Sequence, residues 1–204
     1  MEASVFTVPM ALTDYIPVIL FGISARLLMR DLYNKMAKGV FACLDLGVCV
    51  AFLAGLLKAT YKLLIALCVG NYPLLNNLFM PLQSSGLLLT GLSIVLMLAL
   101  RKKSAALAMA PLTMGFISMM VLGLGGMCAG LSVVAAKMKK KILIPVFILC
   151  FFCYMGMGYL ASKKDGSAAA NWIEQGVNTV GQILLLLGVG SLHKAGLREF
   201  ELKK

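Results

Sequence analysis

The sequence predicts an all-α polytopic helical membrane bundle, with seven transmembrane helices in a three-plus-one-plus-three plan favoured and six as the alternative. Three observations predict it. The chain is 61% hydrophobic over 204 residues, with mean hydropathy +0.94, whereas a soluble domain is nearer half apolar. Its apolar residues fall into blocks close to the ~20 residues needed to cross a bilayer at 1.5 Å per residue. Its Lys and Arg residues gather between those blocks, as the positive-inside bias requires. Alternating apolar and polar patterning is absent, which argues against an outer-membrane barrel.

Clear spans are expected at 12–30, 39–57, 74–100, 142–161 and 169–193. The N-terminal stretch before them has no basic residue, so no cleaved signal peptide is expected. Block 104–136 is also apolar, but at 33 residues it is too long for one ordinary span and short for two. One helix of that length would measure about 50 Å, and two would measure about 23 Å each.

Charge decides between the two. Basic residues cluster at Arg26, Arg30, Lys35 and Lys38, at Lys58 and Lys62, and at Arg101, Lys102 and Lys103. Further clusters are Lys137, Lys139, Lys140 and Lys141, then Lys163 and Lys164, then Lys194, Arg198, Lys203 and Lys204. If 104–136 crosses once, they divide 9 to 10 between the two sides; if it crosses twice, they divide 15 to 4. The bias therefore favours two crossings, or a re-entrant hairpin, turning near Gly123-Leu124-Gly125-Gly126. The expected location is a cell membrane, multi-pass, with the N-terminus outside and the C-terminus cytoplasmic. The tail from His193 is short and basic and is expected to lie on the anionic leaflet.

A weak internal similarity accompanies this plan. Lys35-Met36-Ala37-Lys38 matches Lys137-Met138-Lys139-Lys140, and Asn77 with Gln83-Ser84-Ser85-Gly86 matches Asn171 with Asn178-Thr179-Val180-Gly181, at offsets of 94 to 102 residues. The expected repeat units are 12–100 and 122–195 within a single integral membrane domain. With seven crossings the two units share one orientation, as in parallel-repeat transporters.

Polar residues inside the spans mark a candidate substrate-binding site. Glu174, Asn178 and Gln182 recur every four residues and share one helical face. Asn76, Gln83 and Thr90 share a face of the third span, with Gln83 near the depth of Asn178. Asp45 lies about 10 Å into the second span. An intramembrane carboxylate costs about 2.5–3.5 kcal/mol and tends to face a cavity or a partner. Asp45, Gln83, Glu174, Asn178 and Gln182 are therefore read as a polar site for a small solute or ion. The competing reading is interhelical hydrogen bonding, at about 0.6–2 kcal/mol each.

Small residues recur at Gly47, Ala51, Gly55 and Ala59, at Gly126 and Gly130, and at Gly158 and Ser162, and are read as helix-packing positions. Six cysteines fall in or near apolar blocks. Cys150 and Cys153 have the spacing of a thiol–disulfide pair, but an apolar site makes a thiol inert. His193 stands alone, which disfavours a haem or His-rich zinc site. No phosphate loop, metalloprotease or nucleotide fingerprint is present.

The expectation is a non-enzyme that binds or transports a small solute or ion, without cofactor or metal. The alternative is a non-catalytic membrane partner or sensor subunit of a larger complex, and a membrane thiol–disulfide oxidoreductase stands further back. Expected partners are the lipid bilayer, the solute or ion, and a second copy or another membrane protein. Nucleic acid is excluded, because the basic residues do not form an amphipathic surface interleaved with aromatics.

Overall fold

The computed structural model describes residues 6–100, 115–162 and 167–201, and its regular structure there is entirely helical. The helices are α1 (Val8–Thr13), α2 (Tyr15–Leu32), α3 (Lys38–Ala66), α4 (Pro73–Asn77), α5 (Phe79–Leu100), α6 (Phe116–Lys137), α7 (Leu143–Ser162) and α8 (Ala168–Lys194). Among the described residues, α1 with α2, α3, α4 with α5, α6, α7 and α8 make six segments long and apolar enough to cross a membrane. The chain is a multi-pass membrane protein.

Two spans are broken near their starts for one reason. Pro17 has no N–H to give the carbonyl of Thr13, and α1 stops there; Pro81 has none for Asn77, and α4 stops there. Three helices end alike. After α3, Val69 N–H donates to Leu64 O and Cys68 adopts φ 55°. After α6, Lys140 donates to Ala135 O with Lys139 at φ 59°, and after α8, Leu197 donates to Leu192 O with Gly196 at φ 81°. Each is a Schellman ending, in which a left-handed residue turns the next N–H back onto the last turn. At α8 it also drives Leu197, fully buried, against the core.

The spans form a ring in chain order: α2 packs on α3, α3 on α5, α5 on α6, α6 on α7, α7 on α8, and α8 closes on α2. Neighbours are antiparallel except at two interfaces. Along α5 and α6, Leu87 and Gly91 meet Gly123, and Ile94 and Leu98 meet Gly130, so these helices run parallel. α2 and α8 are also parallel, with Arg30 and Asp31 meeting His193 near the ends of both. Leu100 and Phe116 therefore lie at opposite ends of the bundle, which is the sidedness of the three-plus-one-plus-three plan.

The turn expected near Gly123–Gly126 does not exist, because α6 runs unbroken through it. Those glycines serve close packing: a Cβ on Gly123 would lie 2.5 Å from the Leu87 backbone. The remainder of the expected double crossing, 104–114, lies outside the described residues.

The two ends of the ring differ. At one, here the basic end, stand Arg30, Lys35, Lys38, Lys137, Lys139, Lys140, Lys141, Lys194 and Arg198. That half is sealed by apolar side chains including Leu32, Leu44, Ile94, Leu131, Phe147 and Leu192, each fully buried or nearly so. The opposite half, here the polar end, holds buried Lys62, Ser84 and Gln175, with Gln182 buried near the middle of α8. Cysteines placed singly at Lys35 and Lys140, in a cysteine-free background, should react with an impermeant maleimide from one side of the membrane. One placed at Gly70 should react from the other. Labelling of Lys35 and Lys140 from opposite sides would refute the parallel pairing.

Candidate functional site

The polar end begins with two lysines. The second span was expected to stop at residue 57, with Lys58 and Lys62 in a connection. Instead α3 continues to Ala66, since Lys is a good helix former and nothing breaks the backbone until Cys68. Lys58 and Lys62 thus sit on a membrane helix, one turn apart. Lys62 is 8% exposed and forms a 2.7 Å ion pair with Asp14 at the break between α1 and α2. Lys58 Nζ lies 4.2 Å from the centre of the Phe79 ring on α5, a cation–π contact, and within electrostatic reach of Glu174 on α8. Tyr15 and Thr60 close the same corner with a 3.1 Å hydroxyl contact.

The inward face of α8 carries Glu174, Asn178 and Gln182, as the spacing predicts. At 3.6 residues per turn, they fall between the side that meets α7 (Gly181, Gly188) and the side that meets α2 (His193). On α5, Gln83 falls between the side meeting α3 (Gly86, Thr90) and the side meeting α6 (Leu87, Gly91). The two helices therefore direct these carboxamides toward the middle of the ring.

Their bonding is incomplete. Among the described residues, the buried Oε1 atoms of Gln83 and Gln182 and both amide atoms of Gln175 have no hydrogen-bond partner. Gln175 and Gln182 are 6% and 7% exposed. A buried amide atom left unpaired costs about 1–3 kcal/mol. The hydroxyls of α5 are different: Ser84, Ser85, Thr90 and Ser93 donate to carbonyls of their own helix at 2.7–2.8 Å. Asn171 likewise donates to Ser167 O.

Asp45 does not join this group. It lies toward the basic end of α3, exposed beside exposed Leu46 and Cys49, while Leu44, Gly47 and Val48 take the buried face. Its phase on the helix turns it outward, and its depth separates it from the polar end. Spacing alone gave no phase for Asp45, because the run around it, 39–57, is otherwise apolar and has no polar face to mark its outside. Lys58, Lys62, Asp14 and Gln175 were missed as site residues. The four-residue spacing of two lysines straight after an apolar run was the available signal.

The basic end carries a second polar cluster, unseen in the sequence. Asp31 on α2 is 1% exposed, and His193 Nδ1 lies 2.8 and 3.0 Å from its two carboxylate oxygens. With Nδ1–H donating to Asp31, Nε2 is left to accept from the Arg30 guanidinium, which contacts the ring. Lys35 Nζ donates to the carbonyls of Arg198 and Phe200. These bonds latch the last helix and the segment after it onto the first span.

The cysteines form no disulfide among the described residues. Cys150 is fully buried and its thiol donates to Gly181 O at 3.3 Å. On the outer face a cavity of about 310 Å³ lies between Gly125, Ala129 and Ser132 of α6 and Ile148 and Phe152 of α7. Of its lining residues Ala129, Ile148 and Phe152 are exposed on the outside of the bundle. No group of three or more metal-ligating side chains occurs among the described residues. No family model matches the chain, and comparison with curated proteins and with solved structures gives no match.

Proposed function

We propose that this membrane protein binds a small solute among the polar side chains of its ring interior and carries it across a cell membrane. The polar end faces outside and the basic end faces the cytoplasm, in keeping with the positive-inside bias. One observation carries the reading. Gln175 and Gln182 are buried in the bundle with unpaired amide atoms, next in sequence to or one face with Glu174 and Asn178. Carboxamides that serve as interhelical glue are bonded to the neighbouring helix; these are not, and a solute with complementary groups would satisfy them.

The rest of the ring fits a carrier. The apolar basic half forms a seal below the site, and the latch of Asp31, His193 and Arg30 holds it shut. Passage to the cytoplasm would require that latch to open. No residue here is assigned a catalytic role.

Gln182→Leu tests the site. It removes an unpaired buried amide, so purified protein should be as stable as the parent or more stable by about 1–2 kcal/mol. Solute uptake into proteoliposomes should nevertheless be lost, the trade-off expected when a site is kept polar for function. Undiminished uptake by folded Gln182→Leu and Asn178→Leu proteins would refute the site. Absence of uptake, together with stoichiometric co-purification of another membrane protein, would favour a subunit role instead.

A further inference from the structure

The ring repeats its contacts half a turn round. On α3 and α5, a Cβ on Gly86 would lie 2.6 Å from the nitrogen of Ala51; on α7 and α8, a Cβ on Gly181 would lie 3.2 Å from Cβ of Cys153. Cys153 is 102 residues after Ala51, and Gly181 is 95 after Gly86. On α2 and α3, a Cβ on Gly55 would lie 3.1 Å from Cγ2 of Val18; on α6 and α7, a Cβ on Gly158 would lie 3.7 Å from Cε of Met120. These partners are 103 and 102 residues apart. Two independent contacts thus map α2, α3 and α5 onto α6, α7 and α8, with every helix direction and the order round the ring preserved. Chance similarity among apolar residues would not preserve which glycine touches which neighbour.

Under this mapping Gln83, one turn before Gly86, corresponds to Asn178, one turn before Gly181. The two carboxamides face the ring interior from opposite helices, at matching places in their units.

The surrounding charge selects the ligand. Lys62 pairs with Asp14 at 2.7 Å, and the polar end as a whole carries two lysines, Lys58 and Lys62, against two carboxylates, Asp14 and Glu174. These formal charges sum to zero before a ligand enters, and a net charge brought in would be uncompensated in a low-dielectric interior. Apart from Asp14 Oδ2, which the Lys62 ammonium meets at 2.7 Å, the unpaired buried side-chain atoms among the described residues are three acceptors, the Oε1 of Gln83, Gln175 and Gln182, against one donor, Gln175 Nε2. A ligand that completes them must supply O–H or N–H groups.

We infer that Gln83 and Asn178 grip one small, net-neutral, donor-bearing solute from equivalent positions in two three-helix units. This rests on the carrier reading above and names its substrate class and the pair that defines it.

The test uses the full chain, with radiolabelled mannitol, glucose and serine as net-neutral probes and lactate and methylammonium as charged ones. Binding to detergent-purified protein and uptake into proteoliposomes are measured side by side. At least one neutral probe should bind and the charged probes should not. Gln83→Leu and Asn178→Leu should each weaken binding of that probe by about 30-fold or more. Gln83→Asn and Asn178→Gln should stay within a few-fold of the parent, which separates amide chemistry from a folding defect. A size-exclusion profile and thermal midpoint for each variant establish that it is folded.

Loss at one position alone would overturn the two-sided grip. Binding and uptake of a charged probe alone would overturn the substrate class while leaving the carrier reading standing. Binding of a neutral probe without uptake would uphold the pair and remove the carrier reading. No binding of any probe would overturn the inference.

Discussion

Gly91→Ala should lose about 2–4 kcal/mol of stability and yield little monodisperse protein, the largest effect expected from adding a single methyl group to this chain. The new Cβ would lie 2.1 Å from the carbonyl oxygen of Gly123 and 2.8 Å from its carbonyl carbon. Both neighbours are backbone, so no side chain can swing aside, and α5 and α6 must separate along their length. Overpacking usually costs about 1–3 kcal/mol, and more when backbone has to move. Between membrane helices close packing is itself the main attraction, so separation forfeits contacts along both 22-residue helices. Fluorescence-detected size exclusion and the thermal midpoint in detergent measure it. Gly176→Ala is the control, since a Cβ there meets nothing within 4 Å, and it should behave as the parent. Equal midpoints for the two variants would refute the α5–α6 interface as described.

His193→Ala should destabilise the basic end and open it. Among the described residues, the substitution leaves Asp31 buried with only the Arg30 Nε, 3.7 Å away, as an ion-pair neighbour. Removing one member of a buried pair costs about 3–5 kcal/mol. The His193 ring is 28% exposed and Arg30 is free to re-aim, so the loss should fall to about 2–3 kcal/mol. His193→Gln keeps a donor at similar reach and should recover much of it. Opening is read with a cysteine at Leu28, which is 2% exposed. Its maleimide labelling from the basic side should rise at least several-fold in His193→Ala and stay near the parent rate in His193→Gln. Unchanged labelling in both would show that the apolar seal, not the latch, closes this end.

These two interfaces are the two parallel ones, and they join the proposed units differently. α5 and α6 meet through glycines over much of their length, backbone against backbone. α2 and α8 are tied by a polar latch at one end. Close glycine packing resists separation, whereas a latch exchanges its hydrogen bonds for water when it opens. An opening movement would therefore pivot at α5–α6 and part at α2–α8.

The sequence by itself determined the membrane class, five of the six described spans and, from the clustering of Lys and Arg, that the connections at Lys35 and Lys140 share one end of the bundle. It also determined the shared face of Glu174, Asn178 and Gln182. These are local or compositional properties: hydropathy is summed along the chain, charge bias is counted per loop, and a four-residue spacing fixes a face within one helix. Only the tertiary structure decided which way each face points. It turned Asp45 outward, although the same apolar context surrounds it and its buried neighbour Leu44 in the chain. It carried Lys58 and Lys62 into the bundle, because α3 had no stop signal before Cys68. It made Gly123 and Gly126 a packing surface rather than a turn, since a glycine permits either and the neighbouring helix selects one. It brought Asp31 to His193 across 162 residues. No periodicity records such a pair, because it forms only when the first and last spans close the ring.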